Sequence, residues 1–327
     1  MFNILITARS FGYASTKAME EFKNDHNLKV LKPKHTAAFD EQEMCNLVPG
    51  YDAVIVGTDK INKRVILKTD KLKVISKHGV GFDNIDITAA TESGIVVTNL
   101  PGMNDRAVAD MAFGMILALS RQICYINRKV KNRHWDKILT RDVWGKILGV
   151  IGTGQIGLNL IKRANAFDMK VIAYDLFQNK EASKRMGFTY IPLDELFTKA
   201  DIISIHVPRT PETKGLINTE VFKKMKEGAY LINTSRGGIV NEVDLIEALK
   251  REEIAGAALD VFENTFPQIE DIYSLKNLII TPHISAYTYE TLEAMDMVLV
   301  EEYKRIAQGR MPESINIVNP EVTEYRI

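Results

Sequence analysis

Apolar residues along this chain follow two alternating rhythms. Short runs rich in β-branched residues stand at Ile4-Leu5-Ile6, Leu28 to Leu31, Ala53 to Val56, Val74-Ile75 and Ile95 to Val97. Between them, helical spacing appears at Ser15 to Phe22, Glu41 to Leu47, Lys63 to Leu67 and Ile87 to Thr91. This βαβ alternation predicts a parallel sheet with helices on both faces over residues 1 to about 100. Ser15 or Thr16 is the expected cap of the first helix. The loop Asn99-Leu100-Pro101-Gly102-Met103-Asn104 interrupts the pattern ahead of a long apolar helix, Asp105 to about Ile123. The first domain boundary is placed there. From Lys146 the βα rhythm resumes, with strands at Ile147 to Ile151, Val171 to Tyr174, Asp201 to Val207, Ala229 to Ile232, Ala255 to Val261 and Leu278 to Ile280. A last helical pattern, Thr288 to Ala307, lies outside the second sheet and suggests that the chain returns to the first domain. The expected fold class is α/β, with two doubly wound parallel-sheet domains.

Composition narrows the classes of function. A chain of 327 residues is long for one domain, so two are expected. Lys plus Arg and Asp plus Glu both number 42, so overall charge suggests neither a nucleic-acid partner nor an acidic membrane. Small anionic substrates need only a local cation and stay open. Cys45 and Cys124 form no disulfide framework and no metal spacing, which fits a reducing compartment and no metal site. Phe2 to Ala8 reads as a strand without a charged lead, not as a signal peptide. The longest apolar window, around Met111 to Leu119, is too short to span a bilayer. A soluble cytoplasmic protein is expected. Between Arg121 and Arg141 the chain turns basic and carries Trp135, which could be a nucleic-acid patch or a solvated face, but the interleaved apolar residues and the neighbouring apolar helix favour a subunit-contact arm.

The most informative stretch runs from Ile147 to Asp175. A β-branched run leads into Gly152-Thr153-Gly154-Gln155-Ile156-Gly157, helical periodicity follows, and Asp175 closes the next strand 18 positions after Gly157. That context turns a bare G-x-G-x-x-G into a dinucleotide fingerprint. Gly152 permits the tight turn, Gly154 lets a pyrophosphate approach the backbone, and Gly157 lets the helix lie close on the sheet. The helix N-terminus offers N–H groups and partial positive charge to the phosphates. Asp175 can accept from a ribose diol and repels a 2′-phosphate, while Leu176 and Phe177 supply no cation. NAD is therefore expected over NADP.

Other loops add candidate chemistry. His78-Gly79-Val80-Gly81-Phe82-Asp83-Asn84 follows a strand and is either an anion-binding nest or an ordinary glycine turn. Arg236 and His283 each follow a predicted strand. An Arg can grip a carboxylate and its neighbouring carbonyl. A His can give a proton to the oxygen formed by hydride delivery, or take it back. Together they suit interconversion of a 2-oxo acid and a 2-hydroxy acid.

These stretches, with Ala200 to Leu216, Ile232 to Val240, Gly256 to Glu263 and Thr281 to Thr288, resemble the D-isomer-specific 2-hydroxyacid dehydrogenases over nearly the whole chain. The opening and the Lys77 to Ile85 loop are most similar to short, phosphoglycerate-dehydrogenase-like members without a regulatory domain. The resemblance implies a Rossmann NAD-binding domain, residues 101–285, inserted into a flavodoxin-like substrate domain, residues 1–100 and 286–327. It also implies closure between them in turnover and a homodimer built on the long helix. Arg236 corresponds to the substrate-binding Arg and His283 to the acid/base. Val80 and Gly81 correspond to backbone donors to the carboxylate, and Asn104 to a residue beside substrate and nicotinamide. Gln155, Ile156, Asp175, Val207, Pro208, Thr213, Thr234 and Asp260 correspond to cofactor contacts, Asp260 meeting the carboxamide.

One departure stands out. The family's third catalytic residue is a Glu in a D-V-F-E-x-E-P pattern, whereas this chain reads Asp260-Val261-Phe262-Glu263-Asn264-Thr265-Phe266-Pro267. The Glu position falls on Thr265 or Asn264 according to the direction of counting. Without that carboxylate, His283 loses an upward pull on its pKa. Three functions are kept open: a 2-hydroxyacid dehydrogenase with altered pH dependence or specificity, a 3-phosphoglycerate dehydrogenase, and an NAD(H)-binding sensor that has lost catalysis. Against the second, the loop Gly57-Thr58-Asp59-Lys60 lacks an Arg-Ser pair that resembles a phosphate grip, so Lys60 or Lys63 would have to serve.

Overall fold

Alternate residues of one strand feed two different cores. In β1 (Phe2–Ile6), Ile4 and Ile6 enter one apolar cluster and Leu5 the cluster on the opposite face. In the computed structural model, which describes residues 1–264 and 269–322, this holds for two separate sheets. The chain divides into two units, Met1–Asn104 with Tyr287–Ile327, and Asp105–Ala286.

The first unit continues with α1 (Lys17–Asn24), β2 (Leu28–Leu31), α2 (Glu41–Leu47), β3 (Ala53–Val56), α3 (Lys63–Ile66), β4 (Val74–Lys77), α4 (Ile87–Glu92) and β5 (Val96–Thr98). The second holds α5 (Asp105–Ser120), α6 (Ile123–Lys131), β6 (Ile147–Ile151), α7 (Gln155–Ala166), β7 (Lys170–Tyr174), α8 (Lys180–Met186) and β8 (Thr189–Tyr190). It goes on through α9 (Leu193–Lys199), β9 (Ile202–Ile205), α10 (Thr219–Lys224), β10 (Tyr230–Asn233), α11 (Glu242–Lys250), β11 (Gly256–Leu259) and β12 (Leu278–Ile280). The last helix, α12 (Tyr289–Ala307), returns to the first unit.

The first sheet has the all-parallel order β2-β1-β3-β4-β5, a flavodoxin-like winding. Polar side chains start several helices where the apolar pattern begins. Asp40 accepts from Glu43 N in a full capping box, and Asn62 and Asp86 cap α3 and α4. Thr16 precedes α1 but makes no side-chain cap bond; its hydroxyl donates to Glu20 instead. α12 lays Met295, Leu299, Val300, Tyr303 and Ile306 onto the face that also holds α1. Glu302 on the same helix is buried, and among the described residues it is met by neutral donors, Thr98, Ser76 and Asn316, and by no cation. Burial pushes its carboxyl pKa up, and those donors oppose the rise only in part.

The second sheet has the order β12-β11-β10-β9-β6-β7-β8, doubly wound and parallel throughout. The winding reverses between β6 and β9, paired from Leu148–Ile202 to Ile151–Ile205. Ligands of such sheets bind at the strands' carboxyl ends beside this reversal. The long helix ends earlier than its apolar pattern suggests. Gln122 adopts a left-handed conformation (φ 48°), and α6 leaves at 60° to α5. Neither helix alone is long and apolar enough to cross a membrane, among the described residues. α5 is largely buried against α7 and β10, whereas α6 buries no residue fully.

Candidate active site

The turn after β6 is built by what its glycines lack. Gly152 has φ +94°, and a Cβ there would lie 2.6 Å from the His206 carbonyl oxygen. A Cβ on Gly157 would lie 2.1 Å from the Gly152 oxygen, so α7 can start this close to β6 only as glycine. Gly154, the N-cap of α7, has open space where its Cβ would be. Gln155, Ile156 and Gly157 follow in the first turn, where backbone N–H groups have no intrahelical acceptor.

Asp175 ends β7 next to this turn. One carboxylate oxygen accepts from Thr153 N (2.6 Å) and Thr153 Oγ1 (2.9 Å), and the other from Phe177 N (2.8 Å). The acid thus fastens the glycine turn, a role the sequence did not suggest. The oxygen that takes only Phe177 N keeps acceptor capacity for a ligand.

Across the sheet reversal, His206-Val207-Pro208 follows β9. His206 Nε2 lies 2.8 Å from Ser204 Oγ, and its buried Nδ1 has no partner. Burial pushes the imidazole down to about 4, so the ring is neutral at neutral pH. The sequence showed His206 only as a strand end. Thr213 Oγ1 donates to the Pro208 carbonyl (2.7 Å) and closes the following loop. After β10, Thr234 is buried and its hydroxyl oxygen is unpartnered.

Arg236 follows two residues later on a turn fixed from below. Buried Asn233 accepts from Ser235 N (3.0 Å) and Ser235 Oγ (2.7 Å) and donates to Arg236 O (3.0 Å). Gly237 completes it, since a Cβ there would lie 1.9 Å from Phe262 O. The half-buried guanidinium donates to Ser235 O (2.8 Å).

His283 sits on a second fixed turn, after β12. Its φ is +56°, a conformation rare for a side chain with a Cβ. Its N–H donates to the backbone oxygens of Asp260 (2.9 Å) and Thr281 (3.1 Å). The Asp260 side chain, 1% exposed, accepts from Thr281 Oγ1, Ile284 N, Ser285 N and Ser285 Oγ. Asp260 therefore grips the turn that carries His283, and its carboxylate is enclosed by four donors of this chain. β10 and β12 flank β11, so the two turns lie on one sheet edge about 10 Å apart by strand spacing.

In the first unit, the turn after β4 offers two N–H groups. Gly79 (φ +147°) precedes Val80 and Gly81. Leu100 N donates to Gly79 O (3.0 Å) and Asn99 Nδ2 to Val80 O (2.7 Å). In a trans peptide the N–H points opposite the C=O, so pinning both carbonyls turns the Val80 and Gly81 N–H groups the other way. Neither N–H donates to an acceptor among the described residues. Asn104, last residue of this stretch, has a buried, unpartnered Oδ1.

Residues 113–285 match the family model described as the D-isomer specific 2-hydroxyacid dehydrogenase, NAD binding domain. The chain belongs to this family. It is 40% identical over 289 residues to a D-3-phosphoglycerate dehydrogenase of Archaeoglobus fulgidus, covering 87% of this chain and 55% of that protein. It is 41% identical over 278 residues to a glyoxylate reductase of Thermococcus litoralis, covering 82% of this chain and 83% of that one. The crystal structure of a D-lactate dehydrogenase from Aquifex aeolicus, complexed with NAD and lactic acid, superimposes with a TM-score of 0.85 at 32% identity, covering 97% and 98% of the two chains. The chain thus spans a little over half of the phosphoglycerate dehydrogenase relatives it matches.

The residues present fit the family's dinucleotide. The glycine turn is free of side chains where phosphates approach, and His206 Nδ1 and Thr234 Oγ1 are unsatisfied polar atoms at strand ends beside it. Among the described residues no cluster of His, Cys, Asp or Glu could hold a metal. At the departure from the family pattern, Asn264 is exposed and Thr265 lies outside the described residues. Glu263 is exposed too and pairs with Arg209 (3.2 Å), while its N–H donates to Glu242 (2.6 Å).

Proposed function

We propose that this protein interconverts a 2-oxo acid and a D-2-hydroxy acid with NAD as hydride carrier. The observation that carries the reading is the shared sheet edge: Arg236 and His283 occupy turns, each fixed by a buried side chain, on the edge that bears the glycine turn. Likeness to a D-lactate dehydrogenase solved with NAD and lactic acid supports it. Gly152, Gly154, Gln155, Ile156 and Gly157 would hold the pyrophosphate and Asp175 the ribose. Val207, Pro208, Thr213 and Thr234 would line the rest. Bound NADH supplies the hydride for the carbonyl carbon.

Arg236 grips the substrate carboxylate and carbonyl oxygen, helped by the N–H groups of Val80 and Gly81 and by Asn104. His283 gives its proton to the oxygen as the hydroxyl forms and recovers one in reverse. Asp260 acts through the His283 turn, not on the carboxamide, because its oxygens are enclosed by that turn's donors. The Glu position of the family's pattern falls on Asn264 or Thr265, so placing a carboxylate there by Asn264→Glu or Thr265→Glu should shift the pH optimum for reduction upward.

A panel of small 2-oxo acids, followed by NADH absorbance across pH, tests the proposal. Turnover with at least one is expected. Tight NADH binding without turnover would instead indicate the sensor. A 3-phosphoglycerate dehydrogenase is disfavoured by the loop after β3, Gly57-Thr58-Asp59-Lys60, which lacks an Arg-Ser pair and would leave a phosphate to Lys60 or Lys63. Exposed Ile123, Trp135, Leu139 and Trp144 support a homodimer through residues 121–144. Light scattering of Trp135→Lys with Leu139→Lys should then report a monomer, and an unchanged mass would reject that contact.

A further inference from the structure

His78 begins the turn that carries the Val80 and Gly81 N–H groups, and it is locked from two directions. Its Nε2 lies 2.8 Å from Asp296 Oδ1 on α12, with both side chains 1% exposed. Its Nδ1 lies 2.7 Å from Ser10 Oγ in the turn after β1. The second oxygen of Asp296 accepts from Gly12 N (2.8 Å), so one carboxylate ties that turn and the imidazole together. A carboxylate can only accept, so Nε2 carries a proton and donates it to Asp296, while Nδ1 is hydrogen-bonded to the Ser10 hydroxyl. Phe11 packs edge-on against the ring at 5.7 Å, and His78 N donates to Val56 O (2.9 Å).

We infer that Ser10, His78 and Asp296 form a positioning clamp that holds the Gly79-Val80-Gly81 turn for the carboxylate of the substrate. The inference deepens the dehydrogenase reading and rests on it. Two peptide carbonyls of the turn are pinned from Asn99 and Leu100 on one side. The residue ahead of them is pinned by the clamp on the other. Two adjacent N–H groups can bind an anion only if both peptides keep their tilt, and Gly79 at φ +147° supplies no stiffness of its own. Partners 68 and 218 positions away in sequence supply it instead. A clamp of this kind acts on substrate capture and leaves the proton and hydride steps alone. A buried His–Asp pair that merely glued α12 to the sheet would change stability with no preference for one kinetic constant.

The test uses the full chain. Asp296→Ala should raise KM for the best 2-oxo acid at least about tenfold, a loss of one good anion contact. Its kcat and its NADH affinity should stay within about twofold of the parent. Ser10→Ala should raise the same KM by a smaller factor, and Ser10→Thr, which restores the hydroxyl, should return it. If Asp296→Ala does not fold, the two Ser10 variants decide. Oxamate binding in the presence of NADH, measured by calorimetry, gives a readout that needs no turnover. Weaker oxamate binding in the variants upholds the clamp even if the parent reduces none of the acids tried. Unchanged KM and oxamate affinity in folded Asp296→Ala or Ser10→Ala overturns it. A parent that neither turns over nor binds oxamate overturns both the clamp and the dehydrogenase reading.

Discussion

Replacing Asp260 by Asn removes one charge and one acceptor from the turn that carries His283. One oxygen takes Thr281 Oγ1 and Ile284 N; the other takes Ser285 N and Ser285 Oγ. The new amide NH2 must face one of these pairs. The hydroxyl in either pair can rotate and accept from it, but the backbone N–H of Ile284 or Ser285 cannot. One buried donor is therefore left against another donor, at a cost of about 1–3 kcal/mol. The surviving bonds also lose charge assistance, roughly 1 kcal/mol more in sum. A penalty of about 3 kcal/mol falls on a turn already held at φ +56°, and opening it by that amount lowers the population of placed His283 by roughly two orders of magnitude. Steady-state kinetics of Asp260→Asn with NADH and a turned-over 2-oxo acid should show kcat/KM down about a hundredfold, with NADH affinity nearly unchanged. Activity within about threefold of the parent in the folded variant would refute the gripping role. A matching loss of NADH affinity would return Asp260 to the cofactor.

Three other substitutions probe separate links. Gly157→Ala forces a Cβ to 2.1 Å from the Gly152 oxygen, so NADH fluorescence titration should show affinity down tenfold or more; unchanged affinity would mean that the turn can relax. Asp175→Ala should narrow the preference for NADH over NADPH, read as the ratio of their kcat/KM values, and an unaltered ratio would reject the ribose role. For Glu302→Gln the sign follows from burial: the folded carboxyl is raised above its unfolded value, so its contribution to stability is present below the unfolded pKa and is lost as pH climbs through the folded one. The melting temperature of Glu302→Gln relative to the parent should therefore rise between pH 5 and pH 8, and a flat difference would count against a raised pKa.

Both sheets were legible because parallel strands buried on two faces read as unbroken apolar runs, such as Ala53–Val56 and Ile202–Ile205. The two-residue β8 was too short to leave a pattern. The end of α5 was hidden because neither Arg121 nor Gln122 is a helix breaker by type; only the backbone of Gln122 reveals the break. Within the site, glycines and strand-end residues stood out individually, since special backbone needs leave a mark at a single position. What holds those residues in place did not. The donors to Asp260 lie 21 to 25 positions away, and Asp296 is 218 from His78. A hydrogen bond across such a separation leaves no periodicity, and an acid on a helix looks solvated until tertiary packing buries it. His206 was read only as a strand end for the same reason: its unpartnered Nδ1 and its neutral ring depend on burial.

A crystal structure of the full chain with NADH and oxamate would decide whether Arg236 and His283 converge on one substrate. The Arg236 guanidinium should lie within hydrogen-bond distance of the oxamate carboxylate, and a His283 ring nitrogen within about 3 Å of its carbonyl oxygen. Oxamate bound on the glycine-turn edge with either side chain turned away from it would contradict the assignment of Arg236 and His283.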